Sequence, residues 1–155
     1  MGRAMTAVEA LQRCTLFRDF TETGLRIFAS IAIEKAVPAG SPLFVENMIG
    51  ESAFVVKSGT LRVTQRDGGA ERELAVLGPG EALGAVALFG RTVRLVSAVA
   101  ATPCEVLEIT QRDFVQLTPQ KPQACLKLAL AIGADLASKS DALRELAGKR
   151  EEGKR

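Results

Sequence analysis

The sequence predicts an α+β domain: an eight-stranded antiparallel β-sandwich or jelly roll, flanked by N-terminal helices and a long C-terminal helix. Three observations predict it. Turn residues recur at intervals of roughly 8 to 12 between Ile33 and Ile109, the mark of short antiparallel strands. Apolar residues at helical spacing bracket this stretch on both sides. A chain of 155 residues that is 47% hydrophobic can build one ordinary core but not two.

Taken in order, AVEALQRCTLF places Val8, Leu11 and Leu16 near one helical face, and ETGLRIFASIA spaces Leu25, Phe28 and Ile31 in the same way. Thr21 is the expected N-cap of the second helix, its hydroxyl accepting from an N–H of the first turn. The turn signals that follow are Pro38-Ala39-Gly40, Asn47 to Gly50, Ser58-Gly59, Asp67-Gly68-Gly69, Gly78-Pro79-Gly80 and Thr102-Pro103. Between them, TLRVTQ alternates Leu61 and Val63 with Arg62 and Thr64, as a strand with one wet face does. The pair Asp67-Gly68 suits the positive φ angles of a tight hairpin turn into ERELAVL. After Pro103, TQRDFVQL reads as a short capped helix broken by Pro119 and Pro122, and a longer helix is expected from about Gln123 to Ala147. The domain is therefore set at residues 1–147, with 148–155 a solvated charged tail.

On the long helix Ala129, Gly133 and Ala137 stand one turn apart, and Leu126, Leu136 and Leu143 fall near the same seam at coiled-coil spacing. Small residues at that spacing let another backbone come close. The stripe either packs on the chain's own sandwich or joins two copies as a homodimer.

Composition removes several function classes. The 20 Lys and Arg against 18 Asp and Glu leave a formal charge of +2, scattered along the chain, so no broad footprint for nucleic acid appears. There is no histidine, which takes away the commonest general base and metal ligand. Cys14, Cys104 and Cys125 are odd in number and outside any CxxC spacing, which argues against a disulfide framework or a zinc site and for a reducing cytoplasm. No nucleophile and base pair, metal constellation or P-loop is present, so neither an enzyme nor a cofactor is expected. No apolar run approaches the roughly 20 residues that span a bilayer, and no membrane partner is expected.

The stretch EALGAVALFGRTVRLVSA, from Glu81 to Ala98, poses the functional question. Arg94 sits in an apolar run with no carboxylate near it in sequence, and a buried guanidinium without a partner is costly. Either Arg94 is an exposed strand residue paired to a distant acid such as Glu46 or Glu51, or something anionic meets it. Arg91 reads as a solvated loop residue.

The order of elements and the glycine spacing resemble the cyclic nucleotide-binding domain family, which includes the sensor half of catabolite activator protein-like regulators and the regulatory subunits of cyclic-nucleotide-dependent kinases. The resemblance covers about residues 10 to 145 and rests on PAGSPLFVEN, FVVKSGTLRV, LGPGEALGAVALFG and the arginine that follows, with Gly40, Gly59, Gly80 and Gly84 at turn positions. In that family a phosphate-binding cassette reads approximately Phe-Gly-Glu-Leu-Ala-Leu, then a loop, then Arg and small residues. There a short helix and the guanidinium hold a cyclic phosphate, and the glutamate accepts from the ribose 2′-hydroxyl.

The resemblance implies a ligand site formed by Gly84, Ala85, Val86, Arg94 and Leu95, with Ala87 and Leu88 on the short helix and cAMP or cGMP as ligand. Two positions depart from the pattern. Ala85 stands where the glutamate should be, and Leu95 where a small residue lets the backbone approach the phosphate. Losing one charge-assisted hydrogen bond costs roughly 1.5 to 3 kcal/mol, on the order of 10- to 150-fold in affinity. Glu81, four positions before Ala85, is a poor substitute.

The resemblance thus implies a non-enzymatic regulatory module that senses a cyclic nucleotide or related small phosphate with weakened or altered affinity. The alternative is a degenerate domain that has lost the nucleotide and serves as a protein-interaction or dimerisation module. Direct DNA binding is not expected, because the activator relatives carry a helix-turn-helix after the long helix and only a short charged tail follows here.

Overall fold

The computed structural model describes residues 4–153. The helix α1 (Ala7–Arg13) opens on a reciprocal capping box: Glu9 N–H donates to the Thr6 hydroxyl at 3.1 Å and Thr6 N–H to the Glu9 carboxylate at 3.2 Å. Cys14 is extended and ends α1, and Thr15–Phe17 form a separate 3-10 turn, so Leu16 does not share a helix with Val8 and Leu11 as the spacing suggested. The helix α2 (Glu22–Ile31) starts where expected, with Gly24 N–H donating to the Thr21 hydroxyl at 3.2 Å. Phe17 of the 3-10 turn and Phe20 of the connector pack edge to face on each other and on Phe28 of α2, with ring centroids 5.0 to 5.7 Å apart.

Ten strands follow among the described residues: β1 (Ile33–Val37), β2 (Pro42–Phe44), β3 (Ile49–Gly50), β4 (Ser52–Ser58), β5 (Leu61–Asp67), β6 (Ala70–Leu77), β7 (Ala82–Leu83), β8 (Thr92–Val93), β9 (Ser97–Ala100) and β10 (Cys104–Thr110). They make two four-stranded antiparallel sheets, β1-β10-β4-β7 and β2-β9-β5-β6, and a two-stranded ribbon, β3-β8. The excess over the expected eight comes from two-residue pieces such as β3 and β8, too short to carry a readable alternation.

Strand β4 explains the layering. Its sequence SAFVVKS is buried at all but its last residue, because both faces are covered. Ala53 and Val55 face the helices, in a core with Leu11, Phe28, Leu107 and Leu128. Phe54 and Val56 face the other way, into the space between the sheets, with Leu61, Ala98 and Val106. Strand β4 therefore joins the two cores, as does its neighbour β10 through Leu107 and Val106.

The β5-β6 hairpin closes on Gly68 and Gly69, at φ 60° and 87°, with Asp67 still paired to Ala70. The positive angles thus fall one residue later than Asp67-Gly68. Thr64 is buried rather than wet, and beside it the β5-β6 register shifts between Val63 (opposite Ala75) and Thr64 (opposite Glu73), leaving Leu74 of β6 as the extra residue of a bulge.

The helix α3 (Gln111–Leu117) is capped by Thr110, whose hydroxyl accepts from Asp113 N–H at 3.1 Å. The helix α4 (Pro122–Gly153) begins with proline at its first position and runs past the end expected near Ala147. Cys125, Leu128 and Ile132 are its core stripe. Leu126 and Leu136, from the seam singled out in the sequence, are 60% and 43% exposed instead, Gly133 and Ala137 are exposed, and Ala129 is half-buried. Leu130, 65% exposed, joins this outer face although its spacing did not single it out, and the Leu143 side chain lies outside the described residues. No described helix is long and apolar enough to cross a membrane.

Candidate functional site

The site is built on β4. Its partner β7 sets Ala82 opposite Val55 and Leu83 opposite Phe54, and the turn before β7 is tied to the same strand by Gly80 N–H to Val56 O at 2.8 Å and Val56 N–H to Glu81 O at 2.9 Å. The Glu81 carboxylate accepts from Gly78 N–H at 2.6 Å, so it is engaged inside its own turn. Gly84 ends β7 in the left-handed region at φ 74°, a conformation glycine adopts without strain, and a 3-10 turn follows over Ala85–Leu88. Ala87 and Leu88 anchor that turn in the core, Ala85 packs half-buried against it, and Val86 is 40% exposed.

The second half of the site is a ribbon. Strand β3 pairs Gly50 with Thr92 and Ile49 with Val93 of β8. Arg94 N–H then donates to Met48 O, and Asn47 N–H to Arg94 O, both at 2.7 Å. Asn47 turns the chain with a φ of 72°, a conformation asparagine tolerates better than most residues.

From this backbone anchor the Arg94 side chain runs inward and is 7% exposed. Its Nη2 donates to Ser52 O at 2.7 Å, and its Cζ lies 4.3 Å from the Phe44 ring centroid and 5.6 Å from that of Phe54. Nη1 lies against Gly84, in space that a Cβ there would fill. Among the described residues no carboxylate forms an ion pair with it. Burial pushes its pKa below the ordinary arginine value, and the more distant Glu108 acts against that shift.

The exposed-strand reading of Arg94 is thereby corrected. Glu51 is taken by Arg91, at 2.8 Å, and Glu46 accepts from Arg66 N–H at 2.8 Å. Arg91 is the exposed arginine of the loop. A cavity of about 330 Å³ opens beside Arg94, lined among others by Phe44, Gly50, Ser52 and Phe54. The grooves along α4 contain no residue of this cluster.

Of the five residues singled out in the sequence, the structure brings Gly84 and Arg94 together through the guanidinium. Ala85 and Val86 follow Gly84 directly on the 3-10 turn. Leu95 points outward, 76% exposed, and its carbonyl accepts from Gln65 Nε2 at 3.2 Å. Sequence reasoning missed Phe44, Gly50 and Ser52. Phe44 stood in the sequence only inside the PAGSPLFVEN stretch and Gly50 only as a turn residue, and Ser52 contributes a backbone carbonyl that no side-chain pattern marks. Phe89, 50% exposed, meets Phe114 of α3 edge to face at 6.3 Å and so links the turn to the C-terminal helices. No group of three or more acidic or cysteine side chains among the described residues is placed to hold a metal.

Comparison with known proteins places this geometry. The family model for the cyclic nucleotide-binding domain matches residues 34–121. The chain is 31% identical over 122 residues to a cyclic AMP receptor protein of Thermus thermophilus, an alignment covering 78% of this chain and 56% of that protein. The chain thus spans about half the length of that relative. Its fold superposes on the N-terminal domain of a transcriptional regulator from Streptomyces coelicolor with a TM-score of 0.79 at 26% identity, covering 86% of this chain and 94% of that one. It is similar, at TM-score 0.63 and 28% identity, to the regulatory domain of Toxoplasma gondii PKA solved with cAMP, over 71% of this chain and 42% of that one.

Proposed function

The chain belongs to the cyclic nucleotide-binding domain family, and from that premise we propose that it is a non-enzymatic regulatory module whose Arg94 binds the phosphate of a cyclic nucleotide or a related small phosphate. The observation that carries this reading is an arginine 7% exposed, its guanidinium held beside Gly84 by a carbonyl and an aromatic ring, with no ion pair among the described residues. A carbonyl dipole offsets only part of the cost of burying a full positive charge, and a phosphate supplies the rest through charge-assisted hydrogen bonds.

Affinity is reduced relative to a site with a carboxylate at position 85, because Ala85 has no acceptor for a ligand hydroxyl. Signal leaves through the Phe89–Phe114 contact toward α4. A ligand shifts α4 only by as much as it binds two arrangements differently. A second copy of the chain covers the outer face of α4, where Leu126, Leu130 and Leu136 are 60%, 65% and 43% exposed. That same face supports the second reading, a dimerisation or protein-interaction module that has lost its nucleotide.

Calorimetric titration with cAMP and with cGMP separates the two. Saturable binding that disappears in Arg94→Ala and tightens in Ala85→Glu is the expected result. No heat up to millimolar nucleotide in the native chain, together with a concentration-dependent dimer by light scattering, selects the interaction module.

A further inference from the structure

Two glycines flank the Arg94 side chain, and they are required for different reasons. Gly84 has a φ of 74°, so a side chain there is strained whatever surrounds it. Gly50 lies in β3 outside the positive-φ region, paired with Thr92, where an L residue fits the backbone. A Cβ on Gly50 would run into Nε and Cζ of Arg94 and come within 2.8 Å of its Cδ, and these are its three nearest neighbours. The nearest obstacle to a side chain at position 50 is therefore the Arg94 side chain itself.

The arginine has little room to yield. Its stem is fixed by the two 2.7 Å backbone hydrogen bonds to Asn47 and Met48, in the loop that leads to Gly50. Its planar head rests on the Phe44 ring at 4.3 Å, and its tip is held on Ser52 O at 2.7 Å. An added methyl at 50 must drive the guanidinium out of its seat rather than nudge it.

We propose that Gly50 is a positioning residue: its missing side chain is the seat that holds the Arg94 guanidinium beside Gly84, and any larger residue there removes Arg94 from the anion site. The functional half of this inference rests on the reading of Arg94 as phosphate anchor. The seat itself does not.

The test uses the native chain, Gly50→Ala, Arg94→Ala and the double variant. Gly50→Ala is expected to lower the thermal midpoint of the native chain, and to lower it less or not at all in the Arg94→Ala background, where the three nearest clashing atoms are gone and the added methyl restricts the unfolded chain. The Arg94 guanidinium resonances, with Nη2 donating to Ser52 O, are expected to be protected from exchange in the native chain and to lose that protection in Gly50→Ala. Affinity for cAMP is expected to fall in Gly50→Ala by roughly 100-fold or more, to the level of Arg94→Ala.

Equal midpoint shifts in both backgrounds, or an Arg94 resonance that stays protected in Gly50→Ala, would overturn the seat. If Gly50→Ala alone does not fold, a folded double variant supports the seat and an unfolded one refutes it. A native chain that takes up no cAMP overturns the phosphate reading alone, while the midpoints and the resonance still decide the seat.

Discussion

Lys57 and Arg94 are buried to the same degree, 7% exposed each, and the chain treats their charges in opposite ways. Lys57, on β4, is met by two carboxylates brought from neighbouring strands, with Nζ 2.9 Å from Glu34 of β1 and 3.5 Å from Glu105 of β10. Its pKa is raised, first by the hydrogen bond to Glu34, with burial acting against it. Arg94 has a carbonyl and a ring in place of the carboxylates, and burial lowers its pKa. A buried cation that the chain neutralises with its own acids belongs to the fold. One left to a dipole and an aromatic face, with Glu108 acting only from a distance, is what the proposed phosphate reading rests on.

The largest expected effect sharpens that contrast. Arg94→Ala should lower cAMP affinity by roughly 100-fold or more, the loss of a charge-assisted contact to phosphate, while Lys57→Met should leave it unchanged. Calorimetry on both variants checks this, and equal losses would erase the distinction between the two cations. Next, Ala85→Glu should tighten cAMP binding by about 10- to 150-fold through one added charged hydrogen bond. An unchanged affinity would mean that position 85 does not face the ligand's hydroxyls.

Smaller effects are expected at the lysine. Glu34→Gln should cost about 1 kcal/mol in urea unfolding, since the carboxylate is itself half in water and the pair is partly screened. The cAMP titration should not notice it. The smallest effect is in pH. A raised folded-state pKa means that the Lys57 contribution is whole below the unfolded lysine value of about 10.4 and is lost as pH rises through the folded value. Thermal midpoints of the native chain should therefore carry a decline above that pH that Lys57→Met lacks.

What could be read from the sequence follows the range of the interactions involved. Thr21 as a cap and the hairpin at Gly68 rest on contacts within a few residues, and both were legible to within one position. Arg94 was legible as an anomaly because an arginine in an apolar run needs no partner's coordinates to look costly. Its solution was not, because Ser52 lies 42 residues away and contributes only a carbonyl. The Lys57 pair was equally hidden: its two acids reach it only through the β1-β10 and β10-β4 registers. Gly50 read as one more turn glycine, since a seat for a side chain 44 positions later, 94 against 50, leaves no local mark. The burial of Thr64 left no mark in the alternation of TLRVTQ, and the outer face of α4 was only partly found because Leu130, one turn from Leu126, lies off the small-residue stripe.

The most direct test of the central claim is to follow the Arg94 Nε–H and Lys57 ammonium resonances together while cAMP is titrated into the native chain. The Arg94 resonance is expected to move saturably while the Lys57 resonance stays where it is. Saturable binding with an unmoved Arg94 resonance, or no response of either up to millimolar cAMP, would contradict it.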